Sequence, residues 1–238
     1  MAEREESRSG QPIYRHSERT TPFEATHGDS GLIDAIGDHL ETHLGKIDWV
    51  FHEVVSDLVH IDIHVSMATR ERPWHALVTT GMSQKPMKTP EGMDGLAYAE
   101  LLICLPSDWK LSQDDFEDER NYWPVRWLKM LARMPHEYDT WLGQNHTIPN
   151  GDPPEPFVAG TRLCCWMLNL PTLLPQEFHA LALPDRTIRF YNLVPLYPEE
   201  TKFKLDAGGD ALNDLLDTAK VSDVIAVKRK SVCERKRY

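Results

Sequence analysis

The sequence predicts an α+β fold built as one domain. Stretches of strand character and stretches of helical periodicity are both plentiful along the chain. They do not alternate one for one, as the repeated units of a doubly wound sheet require. The length of 238 residues is enough to bury roughly 70% of the unfolded-chain surface, so a real core can form.

Residues 1–29 are polar, lack a hydrophobic period and read as a disordered tail. The folded domain is placed at 30–227. In its first helix Leu32, Ile33, Ile36, Leu40 and Leu44 share one face, and Gly45 suits the C-terminal cap. Residues 49–55 and 58–65 read as strands turned by Ser56-Asp57, and 74–80 as a third strand ended by Gly81. Pro86, Pro90, Gly92 and Gly95 make 83–95 a loop. The run 98–105 is almost wholly apolar, as in a central strand covered on both faces.

Ser112 is placed to cap a helix whose first turns hold Asp114, Asp115, Glu117, Asp118 and Glu119, acidic groups at the positive end of the dipole. Pro124 suits the first turn of a further helix. There Trp127, Leu128, Leu131 and Met134 form an apolar stripe, and Pro135 stops it. The run HEYDTWLGQNHTIPNGD (136–152) is too polar for core and too varied for a linker, the mark of a segment fixed by function or by an unusual backbone path. Pro153, Pro154 and Pro156 extend the loop over 152–156. Strands follow at 163–170 and 187–196. Pro198 opens a short helix with Glu199 and Glu200 in its first turn. Gly208-Gly209 breaks it, Asp210 caps a last helix through Leu216, and 224–227 reads as a final strand.

Charge is unevenly placed. The chain carries −11, of which residues 1–30 hold −2, the basic tail 228–238 holds +5, and the body 31–227 holds −14. An acidic body disfavours nucleic acid, which needs phosphate-neutralising surface. It favours basic protein partners, although solubility alone also accounts for it. No stretch approaches the ~20 apolar residues of a membrane span, so no membrane partner is expected. The segment MAEREESRSGQPIYRHSERTT has no apolar core of the secretory kind. Cys104, Cys164, Cys165 and Cys233 show no metal-type spacing, and the first three sit in apolar runs. A reduced, cytoplasmic protein is expected.

Chemical motifs are incomplete. His60, Asp62 and His64 alternate along a strand and so share a face that could bind zinc, but a half-exposed strand, apolar through Ile61, Ile63 and Val65 on its other face, explains them better. His52-Glu53 and His136-Glu137 open like HExxH, with Ser56 and Thr140 where the second histidine belongs. Gly81-Met82-Ser83-Gln84-Lys85 lacks the second glycine of a nucleophile elbow. Alternation sends Cys164 and Cys165 to opposite faces of a strand, as buried structural thiols rather than a redox pair. No catalytic residue, cofactor or metal ligand is assigned, and no enzyme is expected. A hydrolase using His60, Asp62 and His64, or the loop 145–152, is the weaker alternative.

Several blocks, in order, resemble the suppressor of fused family in its bacterial single-domain form. They are HIDIHV (60–65), LVTTGMSQKPM (77–87), YAELLICLPSDW (98–109), the run YWPVRWLKMLARMPHEYDTWLGQNHTIPNGDPPEPF (122–157), NLVPLYPEE (192–200) and FKLDAGGDALNDLL (203–216). The resemblance implies a single-domain α/β sandwich, a mixed sheet flanked by helices. Animal members add a second domain. It implies a protein-binding module without cofactor: an immunity protein or antitoxin that neutralises a basic toxin, such as a nuclease, by stoichiometric binding. The alternative it carries is a regulator that restrains another partner, as animal members restrain a transcription factor. It places the partner contact near the Gly-Asp pair of the polar loop, at Thr147, Asn150, Gly151 and Asp152. Glu200 is added for its charge.

Overall fold

Among the described residues eight strands make one mixed sheet whose alternating side chains feed cores on both faces. The computed structural model describes residues 5–16, 19 and 22–233. In chain order the strands are β1 (Glu5–Glu6), β2 (Pro12–Ile13), β3 (Trp49–Phe51), β4 (Asp62–Ser66), β5 (Trp74–Thr80), β6 (Ala99–Pro106), β7 (Thr147–Pro149), β8 (Cys165–Asn169), β9 (Ala180–Ala182) and β10 (Thr187–Leu196). The helices are α1 (Ser30–Leu44), α2 (Glu119–Glu137), α3 (Pro198–Ala207) and α4 (Gly209–Thr218). The sheet order is β3-β4-β5-β6-β10-β8-β7, with β9 beside the first residues of β10. Only the central β6–β10 pair is parallel; the other pairs in this sheet are antiparallel. β1 and β2 form a separate small hairpin.

Strand alternation sends successive side chains to opposite faces. One face gathers Ile63, Val65, Leu77, Leu101, Ile103, Leu193, Trp166 and Leu168 under Trp123, Trp127, Leu128 and Leu131 of α2. The other gathers Ala76, Val78, Leu102, Ile188 and Phe190 under Leu32, Ile36, Leu40 and Leu44 of α1. Further along that face, Met167, Val194 and Leu196 meet Leu212 and Leu216 of α4. The result is the expected α+β sandwich, a mixed sheet between helices.

Several elements differ from expectation for identifiable reasons. The strand pair at 49–65 shrinks to β3 and β4, because side chains replace the ladder between them. Asp62 accepts from the Glu53 N–H (3.0 Å) and pairs with His52 Nδ1 (2.9 Å). Glu53 in turn accepts from the Ile61 N–H (3.2 Å) and pairs with Arg133 of α2. α2 is one helix capped by Asp118, so neither Pro124 nor Pro135 bounds it. Ser112 precedes only a 3-10 turn, Asp114–Glu117. Gly208 caps α3 and α4 starts at Gly209, which leaves Asp210 inside the first turn of α4. The strand at 224–227 reduces to one bridge between Val224 and Cys104. The expected disordered tail 1–29 carries the β1–β2 hairpin in its described part.

The block LVTTGMS is explained by a buried carboxylate. Glu100, fully buried, accepts from Thr79 Oγ1 (2.6 Å), the Gly81 N–H (2.9 Å), the Ser83 N–H (3.0 Å) and Ser83 Oγ (2.6 Å). Ser83 is thus a donor to Glu100, not a nucleophile. Burial pushes the Glu100 carboxyl up to about 7 against the pull of these donors. Gly81 has φ of +106°, and a Cβ there would lie 1.7 Å from the His60 carbonyl oxygen.

Candidate partner-binding edge

The polar run 136–152 leaves the end of α2 and reaches one side of the sheet, where Thr147–Pro149 form β7. β7 is its last strand, paired antiparallel with β8 from Thr147 opposite Met167 to Pro149 opposite Cys165. The Leu168 N–H donates to the His146 carbonyl (3.0 Å) and the Asn150 N–H to the Cys164 carbonyl (2.8 Å). Bonding toward β8 therefore falls on the Asn145 N–H (2.7 Å to the Leu168 carbonyl), the His146 carbonyl and positions 148 and 150. By antiparallel alternation Thr147 turns its N–H and carbonyl outward, and Pro149 its carbonyl. Among the described residues no strand pairs with that outer side.

What fixes the edge lies behind it. Asn145, at φ of +67°, donates to Asp210 Oδ1 (2.8 Å) and accepts from Asn213 Nδ2 (2.9 Å), which binds the loop to α4. A Cβ on Gly209 would sit 2.6 Å from Asn145 Cγ, so the second glycine of Gly208-Gly209 is set by this close approach. His146 lies 4.3 Å from the Trp141 ring, edge-on. Burial, aided by the positive charge of Lys204, lowers its imidazole to about 4 and keeps it neutral. Lys204 of α3 is itself only 9% exposed and reaches Thr147 Oγ1 (3.4 Å). Desolvation lowers its ammonium below the ordinary lysine value. Among the described residues no carboxylate forms an ion pair with it.

The residues expected to meet a partner separate here. Thr147 is on the edge, half-buried. Asn150 is a loop staple whose Nδ2 donates to the carbonyls of Glu155 and Pro156, both at 3.0 Å. Gly151, at φ of +92°, and Asp152 are exposed just past the edge. Asp152 pairs with Arg15 at 3.0 Å.

Glu200 is not at a surface at all. Its side chain is 0% exposed, paired with Arg229 through Nη1 (2.6 Å) and Nη2 (2.5 Å), and it accepts from the N–H groups of Tyr197 and Val232. Its charge is internal, and it is withdrawn as a contact residue. The same pair corrects the tail boundary: Arg229 lies over the Tyr197 ring (4.9 Å) and belongs to the domain. Of the expected basic tail, residues 234–238 lie outside the described residues. Sequence reasoning missed Lys204, Asn213 and Gly209. All three stand in the block FKLDAGGDALNDLL (203–216), but only Gly208-Gly209 is singled out there, as a helix break.

His60, Asp62 and His64 do lie together, but Asp62 is buried between His52 and His60 (3.0 Å to His60 Nε2). Among the described residues no group of three His, Cys, Asp or Glu side chains is placed to hold a metal ion. No described helix is long and apolar enough to cross a membrane.

A family model for the suppressor of fused protein (SUFU) matches residues 57–230. The chain belongs to the suppressor of fused family. A SUFU homolog from Neisseria gonorrhoeae FA 1090 shares the fold at a TM-score of 0.64 and 17% identity, covering 87% of this chain and 100% of that one. A chain of the Sufu–Fu complex matches at 0.59 and 14%, over 88% and 93%. Drosophila Suppressor of Fused matches at 0.58 and 14%, over 84% of this chain and 51% of that one, so this chain spans about half its length. No curated protein matches in sequence. The expected role of immunity protein or antitoxin against a basic toxin does not stand. The relative solved with a named partner is held with Fu, not with a toxin.

Proposed function

We propose that this member of the suppressor of fused family is a regulatory binding module that holds an extended segment of a partner protein on the outer edge of β7. The observation that carries the reading is the open edge itself. Thr147 presents an outward N–H and carbonyl on a strand fixed from behind by Asn145, His146 and Lys204. An extended segment added to such an edge gains main-chain hydrogen bonds, and flanking pockets select its side chains. Asp152 and Gly151 at the end of the edge supply the polar flank. The Sufu–Fu complex, a relative of the same fold, supports the reading that the fold serves to hold a protein.

Thr147→Pro tests it. The Thr147 N–H points away from β8, so proline there spares the ladder while closing the edge to a further strand. The full-length wild type and variant would be immobilised, and proteins retained from the native host's extract compared by mass spectrometry. A partner retained by the wild type is expected to fall at least tenfold on the variant, with unchanged circular dichroism. Equal retention would refute the edge as the contact surface.

A further inference from the structure

We infer that residues 5–16 are a built-in strap that occupies the β7 edge region and competes with whatever binds there; this rests on the reading of β7 as the partner surface. The strap is tied on each side of that edge. Toward α3, the Ser9 N–H donates to the Leu205 carbonyl at 3.0 Å. Before β7, Tyr14 Oη accepts from Trp141 Nε1 (3.5 Å), and its ring lies 6.3 Å from that of His146. After β7, Arg15 reaches Asp152 at 3.0 Å. At the end of α2, the His16 ring lies 5.3 Å from that of Tyr138. The segment thus uses Asp152 and the Trp141–His146 pair, the groups that flank the open edge.

Each tie is weak and reversible. Both partners of the Arg15–Asp152 pair are mostly exposed, 63% and 79%, and exposed pairs of this kind add little. Tyr14 is half exposed. A two-stranded hairpin as short as β1–β2 has little stability of its own. Such a strap yields to a good ligand. It lowers apparent affinity by the fraction of molecules in which the edge is open. The strap also carries its own specificity, an aromatic residue followed by arginine. A competing segment that offers an aromatic side chain to Trp141 and His146 and a cation to Asp152 would displace it.

The test needs no natural partner. The probe is a fluorescein-labelled peptide of residues 5–16, EESRSGQPIYRH, titrated by anisotropy against full-length proteins. The wild type, occupied in cis, is expected to bind it at least tenfold more weakly than Tyr14→Ala/Arg15→Glu, whose own strap is released. Adding Trp141→Ala and Asp152→Lys to that variant, which removes the partners of Tyr14 and Arg15, is expected to abolish binding. Hydrogen exchange at residues 141–152 should quicken in Tyr14→Ala/Arg15→Glu. Equal anisotropy curves together with unchanged exchange would overturn the strap. Because partner retention is not read here, failure of this experiment is separable from failure of the β7 edge as the partner surface.

Discussion

Arg229→Met should destabilise the protein far more than a residue in a terminal basic run would suggest. The guanidinium is 10% exposed and the Glu200 carboxylate 0%. It donates twice to Glu200 and also to the carbonyl of Pro195 (2.8 Å). Methionine keeps much of the aliphatic stem over Tyr197 and removes only the charge and its donors. Glu200 would then keep the N–H groups of Tyr197 and Val232 but no cation. Removing one partner of a buried pair costs about 3–5 kcal/mol. That is a large share of a net stability of about 5–15 kcal/mol. At this chain length it corresponds to a drop in Tm of roughly 6–20 °C. Urea unfolding followed by tryptophan fluorescence measures it, and an unchanged m-value would confirm that only stability moved. The double variant with Glu200→Gln should lose less than the two single losses added, since the residues are coupled. A chain ending at Val227 should lose at least as much as Arg229→Met. A loss below about 1 kcal/mol for Arg229→Met, the range of an exposed pair, would refute the internal role of this ion pair.

Two further outcomes follow from the buried groups around the LVTTGMS turn. Glu100 has its folded-state carboxyl raised from 4.5 to about 7, so the folded state binds the extra proton between those values and stability from this group is lost as pH rises through that window. Relative to Glu100→Gln, the wild type should therefore weaken by about 3 kcal/mol between pH 4.5 and 7, read as the difference of two urea series; parallel series would contradict it. Gly81→Ala puts a Cβ 1.7 Å from the His60 carbonyl at a positive φ. A loss of at least about 3 kcal/mol, or failure to fold, is expected in the same assay, and wild-type stability would contradict the close approach.

The legible parts of the fold were those with a strong local period. α1 declared itself through Leu32, Ile36, Leu40 and Leu44, and β6 through an almost wholly apolar run, because burial leaves a pattern in the sequence. β7 left no repeat. It has three residues, one of them proline, and its strand state comes from pairing with β8 rather than from Thr-Ile-Pro itself. The 52–61 segment was read as a hairpin from strand propensity, yet Asp62 and Glu53 satisfy its backbone through side chains, which propensity does not register. The candidate site was half legible for the same reason. The polar loop stood out by composition, whereas Lys204 and Asn213 lie on helices far along the chain and meet the edge only through α3 and α4.

The charge count shows how composition misdirects a reading of partners. The body's −14 suggested an acidic surface made for a basic partner. Asp62, Glu100, Glu200 and Asp223 are all buried, so they contribute little to the field a partner meets. Glu200 is matched by Arg229, a residue counted with the basic tail. Asp223 holds the N–H groups of Thr172 and Leu173. Several carboxylates are therefore structural anchors that replace missing ladder bonds. Recognition at β7 would instead rest on uncharged backbone groups and a few flanking side chains. Such a surface would leave no trace in net charge, and its specificity would reside in what flanks the edge: Trp141 and His146 on one side, Asp152 on the other.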